Sequence, residues 1–128
     1  MEYIKFIFLH NHYILDEYKD GSGLLILAFF LTDDVGPEGQ TFKEWIDSPT
    51  ETETSSNASY LEKRNNGIII GAEWDKFDGI ALGKQHVFET TKEQLKYIID
   101  RWVELWHKDA KEILITRDGD NITVEGKF

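Results

Sequence analysis

Two histidines separated by one residue are the first side chains whose types would suit chemistry. His10 and His12 flank Asn11, and alternate residues of a β-strand project from the same face. Imidazole nitrogens bind transition metals, and Asp16 or Glu17 from a following strand would supply a third ligand. This set would serve a small metal-dependent hydrolase. The alternative, which the sequence favours, places both histidines on the surface where a strand runs into a turn.

A second cluster combines carboxylates with aromatic rings. Glu73, Asp75 and Asp78 lie close to Trp74 and Phe77, and paired carboxylates can act as acid and base on a glycosidic bond. They could equally surround a calcium ion, but the alternate-position oxygen ligands of an EF-hand loop are missing. Asp78 is followed by glycine, which is typical of a turn. No serine has a nucleophile-elbow context and no glycines resemble a phosphate loop. We therefore expect no catalytic residue, no metal and no cofactor.

Short strands are predicted over much of the chain that carries these clusters. Segments rich in β-branched and aromatic residues alternate with turn residues, which is typical of strands and hairpins. The run from Leu24 to Thr32 is apolar on both faces and predicts a central strand. Residues 48–59 lack large apolar side chains and predict a loop or the edge of a sheet. The other predicted strands are Tyr3–Leu9, Tyr13–Tyr18, a hairpin of 60–64 and 68–74 around Asn65-Asn66-Gly67, an irregular strand over 80–82 and 86–88, and a terminal hairpin of 113–116 and 122–125.

One long helix is the best-defined element of the sequence. The residues Thr90-Thr91-Lys92-Glu93 form a capping box that opens a helix over about 91–108. Its apolar side chains recur at three- and four-residue spacing: Leu95, Ile98, Ile99, Trp102, Leu105 and Trp106. A shorter helix is predicted near 41–47, capped by Thr41 with Glu44. The predicted fold is one α+β domain, 1–128, with a mainly antiparallel sheet of about five to seven strands packed on the long helix.

The composition of the chain indicates the cellular compartment in which such a domain would act. The 128 residues include no cysteine, so disulfides and thiolate sites are excluded. The start of the chain lacks the basic region of a signal peptide. The longest apolar run, Leu24–Leu31, is far shorter than the roughly 20 residues that span a bilayer. We therefore expect a cytoplasmic protein without a membrane partner.

Charge is the feature in which the chain departs most from an average protein. The formal net charge is −10. Within residues 33–53, here called the acidic segment, seven acids face one base, Lys43. A negative field of this kind repels phosphate backbones and attracts basic surfaces. The sequence predicts no nucleic-acid partner and favours a basic protein partner.

Two aromatic residues, Phe42 and Trp45, lie inside the acidic segment. An aromatic anchor within an acidic rim is typical of a tight, electrostatically steered interface. The alternative is a solvated surface that only aids solubility. The predicted partner-binding residues are Asp33, Asp34, Glu38, Phe42, Glu44, Trp45, Asp47, Glu51 and Glu53.

In overall character the chain resembles the immunity proteins that bacteria make against their own polymorphic or contact-dependent toxins. The resemblance lies in the small size, the acidity, the α+β pattern and the acidic segment from Asp33 through Phe42 and Trp45 to Glu53. It implies a cytoplasmic, non-catalytic inhibitor, or antitoxin, that docks on the basic active-site cleft of a toxin nuclease. No family motif accompanies it, so it assigns no functional residue. A structural or adaptor domain is the remaining alternative.

Overall fold

The strands form two antiparallel sheets, and the fold is α+β as predicted. This computed structural model describes residues 1–65, 67–72 and 87–128. The first sheet has the order β2-β1-β7-β8, with β1 Glu2–Leu9, β2 His12–Lys19, β7 Glu112–Asp118 and β8 Asn121–Lys127. The second has the order β3-β4-β5-β6, with β3 Glu53–Ser55, β4 Ser59–Arg64, β5 Gly67–Ala72 and β6 Val87–Thr91. The helices are α1 Leu24–Phe29, which continues as a π-helical turn Phe30–Val35, then α2 Gln40–Asp47 and α3 Lys92–His107.

The predicted central strand Leu24–Thr32 is wrong, because these residues form α1 and the beginning of the π-helical turn. Nearly every side chain of the run is buried, and an apolar run that is buried all round fits a helix as well as a strand. The helix begins because the Asp20 carboxylate accepts hydrogen bonds from the backbone amides of Leu24 and Leu25. The polar residues 19–23 therefore start a helix rather than join two strands.

Gly23 is required at the point where α1 begins. Its φ of 92° lies in the left-handed region, and a Cβ atom there would collide with the backbone of Val87 and Phe88. This close approach places the start of α1 directly against β6. The helix also contacts β1 and β5, so the segment touches both sheets.

The long helix α3 agrees closely with the prediction. The predicted capping box is one residue too early, because Thr91 rather than Thr90 is the N-cap and accepts a hydrogen bond from the Gln94 amide at 3.1 Å. Its predicted apolar stripe is buried apart from Trp106, which is partly buried against the core. Trp102 is fully buried against Phe6 and Tyr13, and its indole Nε1 donates to the Gly36 carbonyl at 2.9 Å. One cluster of buried side chains joins α3, α1 and both sheets.

The short helix α2 forms where it was predicted, but its predicted cap is wrong. The helix begins at Gln40 and its N-cap is Gly39, which provides no side-chain hydrogen bond. Thr41 lies one residue inside the helix and is exposed. Gly39 occupies the cap because α2 is tightly packed on α3 there, and a Cβ atom at Gly39 would collide with Ile99.

The hairpins and the sheet edge follow local sequence signals. The β4–β5 hairpin turns at Asn65, whose φ is 53°, and the β7–β8 hairpin turns at Gly119, whose φ is 61°. The polar residues 48–59 contain β3, at the edge of the second sheet, as predicted. Of the predicted irregular strand, residues 87–88 belong to β6, and 80–82 and 86 lie outside the described residues.

The two helix caps provide a paired test of these assignments. We expect Thr91→Ala to lower the free energy of unfolding by about 1 kcal/mol, because the Gln94 amide loses its acceptor. Thr41→Ala should change it by less than about 0.5 kcal/mol, because this exposed side chain caps nothing. Urea unfolding of both variants measures the difference. Equal losses at the two positions would contradict the assignment of caps.

Candidate partner-binding surface

The acidic segment follows the π-helical turn, α2 and the approach to β3. Six of its seven carboxylate residues are exposed: Asp33, Glu38, Glu44, Asp47, Glu51 and Glu53. Asp34 is half-buried, and its Oδ1 accepts a hydrogen bond from the Ala58 amide at 3.0 Å. This bond joins the π-helical turn to the tip of the β3–β4 hairpin. Asp34 thus has a structural role, whereas the other six carboxylates face solvent.

The predicted aromatic anchors do not project from this surface. Phe42 is 8% exposed and packs edge-on against Phe30 at 4.9 Å between ring centroids. Trp45 is 4% exposed and belongs to the same core cluster. The hydrophobic face of the amphipathic α2 has to be buried, and both residues lie on it. They support the acidic surface from beneath, and the expectation of an exposed anchor at these two positions is wrong.

Two bases near the acidic segment, Lys43 and Lys96, form ion pairs with aspartates. Lys43 forms an ion pair with Asp100 of α3 at 2.6 Å. Lys96 of α3 forms one with Asp47 at 2.9 Å, and these hydrogen bonds raise the pKa of Lys96. In the described part of the chain, Asp33, Glu38, Glu44, Glu51 and Glu53 have no ion-pair partner. Of these five, Glu51 lies close enough to the Lys63 ammonium to act on it through space.

Lys63 of β4 fastens the end of α2 to the second sheet. Its Nζ donates to the carbonyl of Trp45 at 2.6 Å and to that of Ser48 at 2.8 Å. The same ammonium lies 4.7 Å from the centroid of the Trp45 ring. Burial, with a smaller effect from the charge of Lys92, lowers the pKa of Lys63, and the nearby Glu51 and Asp47 oppose this. The cation is turned toward the carbonyls that end α2, where a positive charge is favourable.

The structure brings together some of the predicted residues and separates others. Asp47 and Glu51 both act on Lys63, and the Lys63 amide donates to Thr52, next to Glu53. Asp33 lies at the other end of the β3–β4 hairpin, beside its tip. Glu38 is apart from both, in a cleft between the start of α2 and α3. The name carboxylate band is used below for Glu51 and Glu53 along β3, Asp33 at the tip of the β3–β4 hairpin, and Asp47 with Glu44 three residues before it on α2. Glu38 lies apart from this band.

A cleft of about 310 Å³ opens at the Asp33 end of this band. Phe29, at the end of α1, is 48% exposed and forms one wall. The described lining, here called the Phe29 cleft, consists of Ile26, Phe29, Asp33, Asn57, Ala58, Ser59 and Ala72. Sequence reasoning missed this site because it assigned Phe29 to a strand. The available signal was the four-residue spacing of Phe29 and Asp33, which places two side chains on one side of a helix.

The structure does not bring together the residues of the alternative metal site. His10 and Asn11 have φ values of 53° and 70° and form the two-residue turn between β1 and β2, so His10 is not on a strand face. Asp16 and Glu17 lie at a β-bulge opposite Lys5, with which both form ion pairs at 3.2 and 2.9 Å. These bonds raise the pKa of Lys5. No group of three potential metal ligands occurs among residues 1–65, 67–72 and 87–128.

Two groups of carboxylates lie outside the acidic segment in the sequence. The carboxylates Glu73, Asp75 and Asp78, with Trp74 and Phe77, lie outside the described residues. Asp118-Gly119-Asp120-Asn121 forms the β7–β8 turn. No helix in the described part of the chain is long and apolar enough to cross a membrane.

Comparisons with known proteins do not identify the chain. No protein-family model, no curated protein sequence and no solved structure matches it. The resemblance to immunity proteins therefore stays a prediction, and function has to be argued from the surface itself.

Lys63 provides a test of how the band along β3 is held. We expect Lys63→Met to lower the free energy of unfolding by about 2 kcal/mol, because two carbonyls lose a charged donor. The matched control Arg64→Met removes the same charge from the next residue, whose exposed side chain pairs with Glu62 among the described residues. It should cost less than about 1 kcal/mol. Urea unfolding distinguishes the two variants. A control as destabilising as Lys63→Met would show that Lys63 is not the fastening residue.

Proposed function

We propose that this chain is a non-catalytic binding protein that docks the carboxylate band along β3 on a basic partner protein. The observation that carries the proposal is the lack of ion pairs on exposed carboxylates. Glu44, Glu51 and Glu53 are exposed without an ion pair in the described part of the chain, while Lys43 and Lys96 pair with aspartates and Lys63 donates to two carbonyls. A protein that needed acidity only for solubility would not require its local cations to be turned away from one surface.

This arrangement of charge is maintained because Lys43 of α2 and Lys63 of β4 are each bonded to other groups. Lys43 is drawn to Asp100 of α3, and Lys63 points into the carbonyls that end α2. Neither lysine forms an ion pair with Glu44, Glu51 or Glu53 in the part of the chain that the structure describes. An approaching basic surface therefore meets carboxylates that already lack counter-ions, so little has to be broken before new ion pairs form. Such a surface steers a basic partner and makes association depend on salt.

The form of the edge strand also suits docking. β3 has only three residues and lies at the end of its sheet, and Glu53 lies opposite Glu62 of β4. Charged side chains on a short edge strand discourage unselective strand pairing. The band would therefore bind a partner through the positive charge of the partner's surface, and not by pairing with any strand that the partner exposes. The partner class that the resemblance suggests is a toxin nuclease with a basic active-site cleft, which the chain would inhibit as an immunity protein in the cytoplasm.

The test uses the triple variant Glu44→Gln, Glu51→Gln and Glu53→Gln. Partners are captured from the native host by the wild-type chain at about 50 mM salt, identified by mass spectrometry, purified and measured by surface plasmon resonance. We expect a basic partner whose affinity falls at least about tenfold for the triple variant, mainly through slower association. Raising the salt to about 300 mM should weaken wild-type binding in the same way.

The matched control neutralises three exposed carboxylates elsewhere, with Glu89→Gln, Glu93→Gln and Glu125→Gln. These residues have no ion pair in the described ranges, so the net charge changes equally. The control should lower affinity by less than about threefold. Capture of no basic protein, or equal losses for both triple variants, would contradict the proposed surface.

A further inference from the structure

The Phe29 cleft combines an apolar wall with one exposed carboxylate. Ile26, Phe29, Ala58 and Ala72 supply the apolar lining, and Asp33 is the only charged residue among the described lining residues. Phe29 is half exposed although most of α1 is buried. An aromatic face beside a carboxylate is the environment that suits a side chain with an apolar stem and a cationic head.

The polar atoms around the cleft reinforce this selectivity for a cation. The Ala58 amide is already used by Asp34, so it is not free to bind an anion. The second oxygen of Asp34, Oδ2, is buried and accepts no hydrogen bond in the part of the chain that the structure describes. Asp34 is not a lining residue of the cleft, but it is bonded to the lining residue Ala58 and follows Asp33 in the chain. The cleft thus has one carboxylate in its lining and a second one bonded to its wall.

Arginine fits these features better than lysine does. A guanidinium is planar, stacks on an aromatic ring and can donate two parallel hydrogen bonds to one carboxylate. Phe29 and Asp33 stand four residues apart on adjoining helical turns and face the same cleft. A lysine ammonium would reach the carboxylate but would gain less from the ring, because it is compact and strongly hydrated.

We propose that the Phe29 cleft is an arginine subsite of the partner-binding surface, in which Phe29 stacks on a guanidinium of the partner and Asp33 accepts its hydrogen bonds. This inference rests on the proposed function and names the chemistry that would anchor the partner. The aromatic anchor of the surface would then be Phe29, which is exposed, and not Phe42 or Trp45, which are buried.

The test is an NMR titration of the ¹⁵N-labelled full chain with two blocked peptides of equal charge, hexa-arginine and hexa-lysine, at low salt. We expect hexa-arginine to shift the amide signals of Phe29, Ala58 and Ala72 and to bind at least about threefold more tightly than hexa-lysine. Asp33→Asn should lower the hexa-arginine affinity at least about fivefold. Phe29→Ala should remove the preference for arginine, and the spectra report directly whether each variant is folded.

Two controls separate the subsite from the charge of the whole surface. Glu38→Gln removes the same charge from the acidic segment outside this cleft and should weaken binding less than twofold. Tyr18→Ala removes an exposed aromatic ring from the first sheet and should leave the arginine preference unchanged. Equal binding of both peptides with shifts confined to residues 51–53 would overturn the subsite while supporting the proposed function. Binding of neither peptide would count against the proposed function itself.

Discussion

The burial of residues 24–35 between the two sheets is the constraint on which the rest of the structure depends. α1 contacts β1 of one sheet and β5 and β6 of the other, and the π-helical turn contacts α3 and β2. Each four-stranded sheet has one face to bury, and this helical segment lets both sheets share one core. The glycine at position 23 permits the close approach to β6 that starts the segment. A side chain there would push α1 away from the second sheet.

The same segment determines what the surface displays. Because α1 is buried on most sides, the one large side chain that it leaves exposed, Phe29, stands beside polar residues at its end. The chain then leaves the core through Asp33 and Asp34, at the tip of the β3–β4 hairpin. Lys63 fixes the other end of this hairpin to α2. The carboxylate band is thus held at both ends by contacts that come from the core.

Local signals in the sequence were sufficient for the long helix and the hairpins. The cap at Thr91 and the apolar stripe of α3 depend on neighbouring residues, and so do the turns at Asn65 and Gly119. The strand predicted over Leu24–Thr32 is wrong because burial of most of these side chains removes the periodicity that separates a helix from a strand. The helical state of these residues is set by Asp20 and by the approach to Val87, 64 residues after Gly23, which no local pattern contains. The Phe29 cleft could not be predicted from local patterns either, because its walls come from α1 and from a hairpin more than 20 residues later in the chain.

The π-helical turn explains how two adjacent aspartates come to differ. Its wider turn ends with the Gly36 amide bonded to the Leu31 carbonyl at 2.9 Å, five residues back. Within this turn Asp33 stays exposed, while Asp34 turns inward and bonds the Ala58 amide. Asp34 therefore fixes the hairpin tip, and the fixed tip completes the cleft that Asp33 faces. Neutralising the two aspartates together, as the sequence alone would suggest, mixes a structural effect with a binding effect. The structure separates the two effects, because Asp33 is exposed to a partner whereas Asp34 is half-buried and bonded to the hairpin.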